Sequence, residues 1–173
     1  FRRVLFRSQT YTGAVTVTGT GTRTLTGTTV TNSSTLNGGA IALTITGNAS
    51  IGGAITNVTN LSVSGTSTIG ANVTTTGTQT YTGAVTVSGS GTRTLTGTTV
   101  TNSSTLDGGA IALTITGNAS IGGAITNVTN LSVSGTSTIG ANVTTTGTQT
   151  YTGAVTLSTS PTLTTTSNKI GRA

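Results

Sequence analysis

The chain has no cysteine, methionine, tryptophan or histidine, and one proline in 173 residues. Without cysteine there is no disulfide and no thiolate-bound metal. Glutamate is absent as well, which leaves Asp107 as the only carboxylate. No carboxylate pair exists for glycoside hydrolysis, and no base stands ready to activate a Ser or Thr hydroxyl. A calcium-binding roll would need repeated aspartates, which are missing. No apolar run approaches the roughly 20 residues of a membrane-spanning helix. Charged residues make up 5% of the chain and aromatics 3%. That is too little charge for a self-repelling disordered tract, and too few rings for a groove that stacks single-stranded nucleic acid.

What is present is Thr, Ser, Gly and Asn, with Val, Ile and Leu spaced between them, in duplicated form. Residues 11–80 recur as 81–150 with three changes: Thr18 becomes Ser88, Thr20 becomes Ser90 and Asn37 becomes Asp107. A third copy begins at Tyr151 and decays after Leu157. A fixed period, marked by Tyr11, Tyr81 and Tyr151, predicts one structural unit stacked on copies of itself. The expected organisation is a single solenoid over 9–168, with units 11–80, 81–150 and a partial unit 151–168. The bland alternative for such a composition is a flexible linker.

The ends differ from the repeat. Residues 1–8, Phe1-Arg2-Arg3-Val4-Leu5-Phe6-Arg7-Ser8, resemble a translated sequencing-library adapter, TTC AGA CGT GTG CTC TTC CGA TCT. Residues 169–173 resemble the opposite adapter, ATC GGA AGA GC, with Lys169 at the junction. Both segments are expected to be adapter-derived, and the chain is then expected to be a fragment of a longer gene. The rival reading, a targeting signal at Arg2-Arg3, fails because Val4-Leu5-Phe6 is too short for a signal core. Setting the ends aside changes the charge. The net of +6 comes from seven basic residues and one acidic. Five of the basic ones (Arg2, Arg3, Arg7, Lys169 and Arg172) lie in the ends, leaving Arg23, Arg93 and Asp107 with a net of +1. The high isoelectric point therefore implies neither a nucleic-acid nor an anionic-lipid partner.

The large apolar residues of the first unit are Tyr11, Val15, Val17, Leu25, Val30, Leu36, Ile41, Leu43, Ile45, Ile51, Ile55, Val58, Leu61, Val63, Ile69 and Val73. All but Val30, Leu36 and Val58 carry odd numbers, so the period is two and the unit is read as strands with one buried face. The many β-branched residues agree. Glycine interrupts every stretch that could become a helix. A shorter motif, Gly47-Asn-Ala-Ser-Ile51-Gly-Gly53, returns as Gly65 to Ala71 and as Gly77 to Gly83, with a looser version at Leu36. Its bulky residue steps through Leu36, Ile51, Ile69, Tyr81 and Leu106. These steps predict an all-β parallel β-solenoid of about four coils per repeat, with Asn37-Gly38 and Asp107-Gly108 at tight turns.

No residue is assigned a catalytic, cofactor-binding or metal-binding role. Asp107 is read as a turn residue. The segment Gly19-Thr20-Gly21-Thr22-Arg23 lacks the ending of a phosphate loop and is read as a bend carrying a solvated arginine. Arg23 and Arg93 are expected to recur along one side. Tyr11, Tyr81 and Tyr151 are expected to be partly buried with their hydroxyls at the rim, carbohydrate stacking being the alternative. The sequons at Asn48, Asn57, Asn60 and Asn72, repeated in the second copy, arise readily in Thr/Ser-rich text.

The stretch from Ile55 to Val85, and Gly77-Thr-Gln-Thr-Tyr-Thr-Gly-Ala-Val-Thr86 within it, resembles the repeats of large secreted bacterial adhesins, filamentous-haemagglutinin-like and autotransporter-passenger proteins. The resemblance implies a right-handed parallel β-helix, export to the bacterial cell surface, and a stalk or adhesive role without catalysis. Its expected partners are a host-surface or matrix ligand, protein or carbohydrate, and neighbouring repeats of the same chain. No cofactor, nucleic acid or membrane insertion is expected of this segment. Alternatives are a trimeric rod like a phage tail fibre, and an ice-binding solenoid using pairs such as Thr16-Val-Thr18, Thr22-Arg-Thr24 and Thr24-Leu-Thr26. The unequal steps from Leu36 to Ile51, Ile69, Tyr81 and Leu106 speak against the flat face that ice binding needs.

Overall fold

The computed structural model describes residues 7–167. Of the adapter-like ends, residues 1–6 and 169–173 lie outside that range. Seventeen strands, from Gln9–Tyr11 to Leu163–Thr165, form one continuous sheet, and all the strand pairings run parallel. The described residues are all-β, as expected.

The strands stack in three ladders, one on each side of the coil. The first passes through Gln9, Val30, Ala49, Ser67, Val85, Leu106, Ile125, Val143 and Leu163. The second passes through Val15, Leu36, Ile55, Val73, Leu95, Ile115, Val133 and Tyr151. The third passes through Arg23, Leu43, Leu61, Gln79, Val100, Ala119, Ser137 and Val155. The first ladder's nine rungs make eight coil-to-coil steps. At about 4.8 Å per step the described column is roughly 40 Å long.

Inward positions alternate with outward ones, and the inward aliphatics of all three ladders merge into one core. Leu43, Ile45, Leu61 and Val63 are buried there as the alternation predicts. Val30, Leu36 and Val58 are also buried despite their even numbers, because the phase of the alternation resets at each corner. Ile41 departs from expectation. It follows the left-handed pair Gly39-Ala40 (φ 62° and 60°), which bulges out of the ladder between Asn37 and Ile41. It is left half-exposed at a corner.

The coil steps also need correction. Of the predicted stacks, only Ile51 over Ile69 occurs. Leu36 lies against Ile55, Ile69 against Val87, and Tyr81 against Asn102. The recurring glycine motif marks corners, and three corners fit into one coil, so successive motifs belong to different sides.

The duplication and the coil therefore have different periods. Four coils carry Val15 through Leu36, Ile55 and Val73 to Leu95, whereas the repeat carries Val15 only as far as Val85. The repeat is thus one side short of four full coils. Val15 lies in the second ladder and its copy Val85 in the first; Val30 lies in the first and its copy Val100 in the third. Each repeat is turned by one side relative to the last.

The decaying third copy shows what one further coil contributes. Val85 and Val87 are 1% exposed beneath the next coil, whereas their counterparts Val155 and Leu157 are 41% and 52% exposed. Leu61→Ala and Leu131→Ala should each cost about 2–5 kcal/mol. Leu157→Ala should cost about 1 kcal/mol or less. Urea midpoints at unchanged slope measure all three.

Candidate functional site

Three sets of polar side chains distinguish this column from a plain Thr/Ser rod. The first lies inside it. Gln79 is fully buried, and its Nε2 donates to the carbonyls of Val73 (3.0 Å) and Thr96 (2.7 Å). Its Oε1 accepts from the Tyr81 hydroxyl at 2.9 Å. The Gln-Thr-Tyr segment therefore braces a corner from within, with the amide hydrogens and the phenol all paired. Tyr81 is 1% exposed, which overturns both the rim position and sugar stacking for that ring. Tyr11 and Tyr151 make the same bond to Gln9 and Gln149 but are half-buried, because they sit in the end coils.

The second set pins each coil to the next. Asn48 Oδ1 accepts from the Thr66 amide at 3.0 Å and Asn60 Oδ1 from the Thr78 amide at 2.8 Å. Asn72 Oδ1 accepts from the Thr94 amide at 3.0 Å, and Asn118, Asn130 and Asn142 repeat the arrangement. Several of these are the sequon asparagines, and their carboxamides satisfy corner amides one coil ahead. Sequence reasoning missed this role. The available signal was an Asn directly before the residue that opens a side, as in Asn48-Ala49, Asn60-Leu61 and Asn72-Val73.

The third set projects outward at one corner per repeat. The loop Thr18–Thr22 bulges between the second and third ladders, with Gly19 and Gly21 at positive φ. Arg23 closes it, donating to the Thr20 and Thr18 carbonyls at 3.1 and 3.2 Å. On the next coil, Asn37 Oδ1 accepts from the Gly39 amide (3.0 Å) and from Asn57 Nδ2 (2.9 Å) on the coil beyond. Gly39 is required here: a Cβ would run into the Val17 carbonyl. Between these loops lies a shallow cleft of about 280 Å³ lined by Gly21, Thr22, Ala40, Ile41, Ala42 and Thr59.

The same corner recurs in the second copy between the first and second ladders. Asp107 Oδ1 accepts from the Gly109 amide (2.9 Å) and Asn127 Nδ2 (2.8 Å). Those two bonds, the Gly109 amide first, hold its carboxyl below the ordinary carboxylate range. Asn and Asp interchange here because only an acceptor oxygen is used. Asp107 is a ladder rung bonded to the bend just after it, rather than the turn itself as read from the sequence. Arg93 is 8% exposed and donates to the Ser88 carbonyl at 2.9 Å. Burial lowers its tendency to hold a proton. Arg23 has the same sequence neighbours but lies in the end coil and is exposed. The two arginines are loop closures on different sides of the column, not a charged row along one side.

Outside the corners, hydroxyls stand in register. Thr24, Thr44, Ser62, Thr80, Thr101, Ser120, Thr138 and Thr156 form one outward rank along the third ladder. The corner loops absorb the unequal coil lengths and leave this rank unbroken. Among the described residues no three His, Cys, Asp or Glu side chains cluster as a metal site. Compared with known proteins, the chain matches no family model, no curated protein and no solved structure.

Two pH effects follow. Burial raises the Tyr81 phenol above its ordinary value and pushes that of Tyr151 up to about 12. The neutral form is favoured in the fold, so the phenols' contribution is full below about pH 10. It is lost as pH rises through the folded values. Urea midpoints should hold from about pH 8 to pH 10 and then fall, and Tyr81→Phe should remove most of that alkaline dependence. At the acid end, the contribution of Asp107 is present above its ordinary range and lost as pH falls through its lowered value. Asp107→Asn should leave the midpoint at neutral pH unchanged and abolish this acid dependence.

Proposed function

We propose that this chain is a structural and adhesive repeat segment of a secreted or cell-surface bacterial protein, acting as a stalk or binding surface without catalysis. It is wound right-handed, as the adhesin resemblance implies. The observation that carries the reading is the nearest-neighbour construction. Each coil bonds only to the coils before and after it, so length can grow by whole repeats without disturbing what exists. Near-identity of the copies suits an element selected for length and surface. The core closes within one chain, which favours a monomeric solenoid over a rod built from three chains.

Two measurements test this. The DNA flanking the coding segment should encode a secretion signal upstream or a membrane barrel downstream; a cytoplasmic enzyme on both sides would refute the reading. Beads coated with the purified chain should adhere to cultured host cells or extracellular matrix, and uncoated beads should not.

The unbroken Thr/Ser rank favours a second reading, binding to ice. Its in-register hydroxyls, about 4.8 Å apart along the column, form the kind of regular array that orders water. Thermal hysteresis of the purified chain would support it, and freezing-point behaviour like that of an inert protein would remove it.

A further inference from the structure

We propose that the outward corner, presented once per repeat, is a binding site for a neutral saccharide unit. This rests on the adhesive reading above and names its ligand class. The first observation is where the two copies differ. All three differing positions, Thr18/Ser88, Thr20/Ser90 and Asn37/Asp107, lie on or directly beside the two loops that frame the cleft, and none lies in the core. Every buried rung, the Gln–Tyr brace and the Asn48, Asn60 and Asn72 pins are kept letter for letter; Asn37/Asp107 is a ladder rung too, but an exposed one. Change is confined to the one feature that stands out from the rod, the usual place for recognition on a rigid scaffold.

The second observation is the chemistry of the cleft. Its lining carries no charge. The nearby Arg23 guanidinium is spent on the Thr18 and Thr20 carbonyls. The floor is aliphatic, with half-exposed Ile41 between Ala40 and Ala42. The walls offer the Thr22 and Thr59 hydroxyls. A sugar ring has the matching anatomy, an apolar C–H face edged by hydroxyls. An anionic ligand finds no free cation in the lining, and a long apolar side chain finds too shallow a floor. The same residue types recur as Gly91, Thr92, Ala110, Ile111, Ala112 and Thr129.

The third observation is phase. Because each repeat is turned by one side, successive corners face successive sides of the column. A longer array would offer the site in three directions, and only every third repeat would return to the same one. Weak sites arranged this way gain by multivalency on a glycan-coated surface.

The test is a printed array of neutral oligosaccharides, their sialylated or uronic-acid counterparts, and random peptides, probed with the full chain. Neutral oligosaccharides should bind, with one site per complete repeat by calorimetry on the strongest binder. Ala42→Arg with Ala112→Arg, which fills the cleft beside Thr22 from the surface and makes the same change at the equivalent position of the second copy, should weaken binding by about tenfold or more. Thr138→Arg, exposed on the third ladder and away from both corners, should leave it unchanged. Should the arginine variant lose its β-sheet circular dichroism, Thr22→Ala with Thr92→Ala replaces it, with a several-fold loss expected. Absence of neutral-saccharide binding, binding to peptides alone, or indifference to the cleft variants would overturn the proposal. Bead adhesion separates the two readings. Adhesion that survives the cleft variants sinks the saccharide site and leaves the adhesive role standing, whereas beads that never adhere sink the adhesive role itself.

Discussion

Each coil leaves a row of backbone N–H groups on one edge, a row of C=O groups on the other, and aliphatic side chains on three sides that only another coil can cover. Every element of the structure answers that requirement. The ladder bonds satisfy the straight segments. At the corners, where the ladder breaks, asparagine carboxamides take over the orphan amides, as Asn60 does for Thr78. Where the interior is polar, the donors of Gln79 and Tyr81 are bonded to main chain or to each other. An unpaired amide in this position would cost about as much as a lost hydrogen bond or more. The asparagine pins and the Gln–Tyr brace are therefore as much part of the fold as the aliphatic core.

The class of fold was legible in the sequence, and the reason is physical. Period-two alternation forces a strand with one face buried, and a long, nearly exact duplication forces stacking. The winding was not recovered, although a finer rhythm was present. Leu43, Ala49, Ile55, Leu61, Ser67, Val73, Gln79 and Val85 follow one another at equal steps, each opening the next side of the coil. Three such steps make one coil. Ala49, Ser67 and Gln79 hide the rhythm, because a search limited to large apolar residues passes over them. The loops at Thr18–Thr22 and Gly38–Ala40 hide it further by lengthening two coils in each repeat.

The corner was partly legible. Glycine marked the bends, but the Asn-Gly and Asp-Gly dipeptides are not the turns themselves: Asn37 and Asp107 are ladder rungs, and the left-handed bend falls just after them on Gly39-Ala40 and Gly109-Ala110. Its assembly was not legible, since Thr18, Asn37 and Asn57 are brought together only by the coil step. The orientation of successive corners was invisible for the same reason. The repeat does not contain a whole number of coils, so a copy cannot return to the side its original occupies: Val15 stands in the ladder of Leu36, Ile55 and Val73, whereas its copy Val85 stands in the ladder of Val30, Ala49 and Ser67. The arginine pair illustrates the consequence. Text that is identical in both copies faces different directions, and only Arg93 has a full coil packed on both sides of it.

The register of the third ladder carries the account, and the chain's freedom from cysteine lets it be measured cleanly. In one variant Ser62 and Thr80 become cysteine, outward neighbours on adjacent coils. In another Thr68 and Thr80 do, closer in sequence but on different sides of the column. A coiled column predicts that the Ser62/Thr80 pair oxidises readily to an intrachain disulfide, its Cα atoms lying about one strand spacing apart, while the Thr68/Thr80 pair does not. A chain in which the Thr68/Thr80 pair closes as fast or faster, as loop length alone would favour, is not wound in this way.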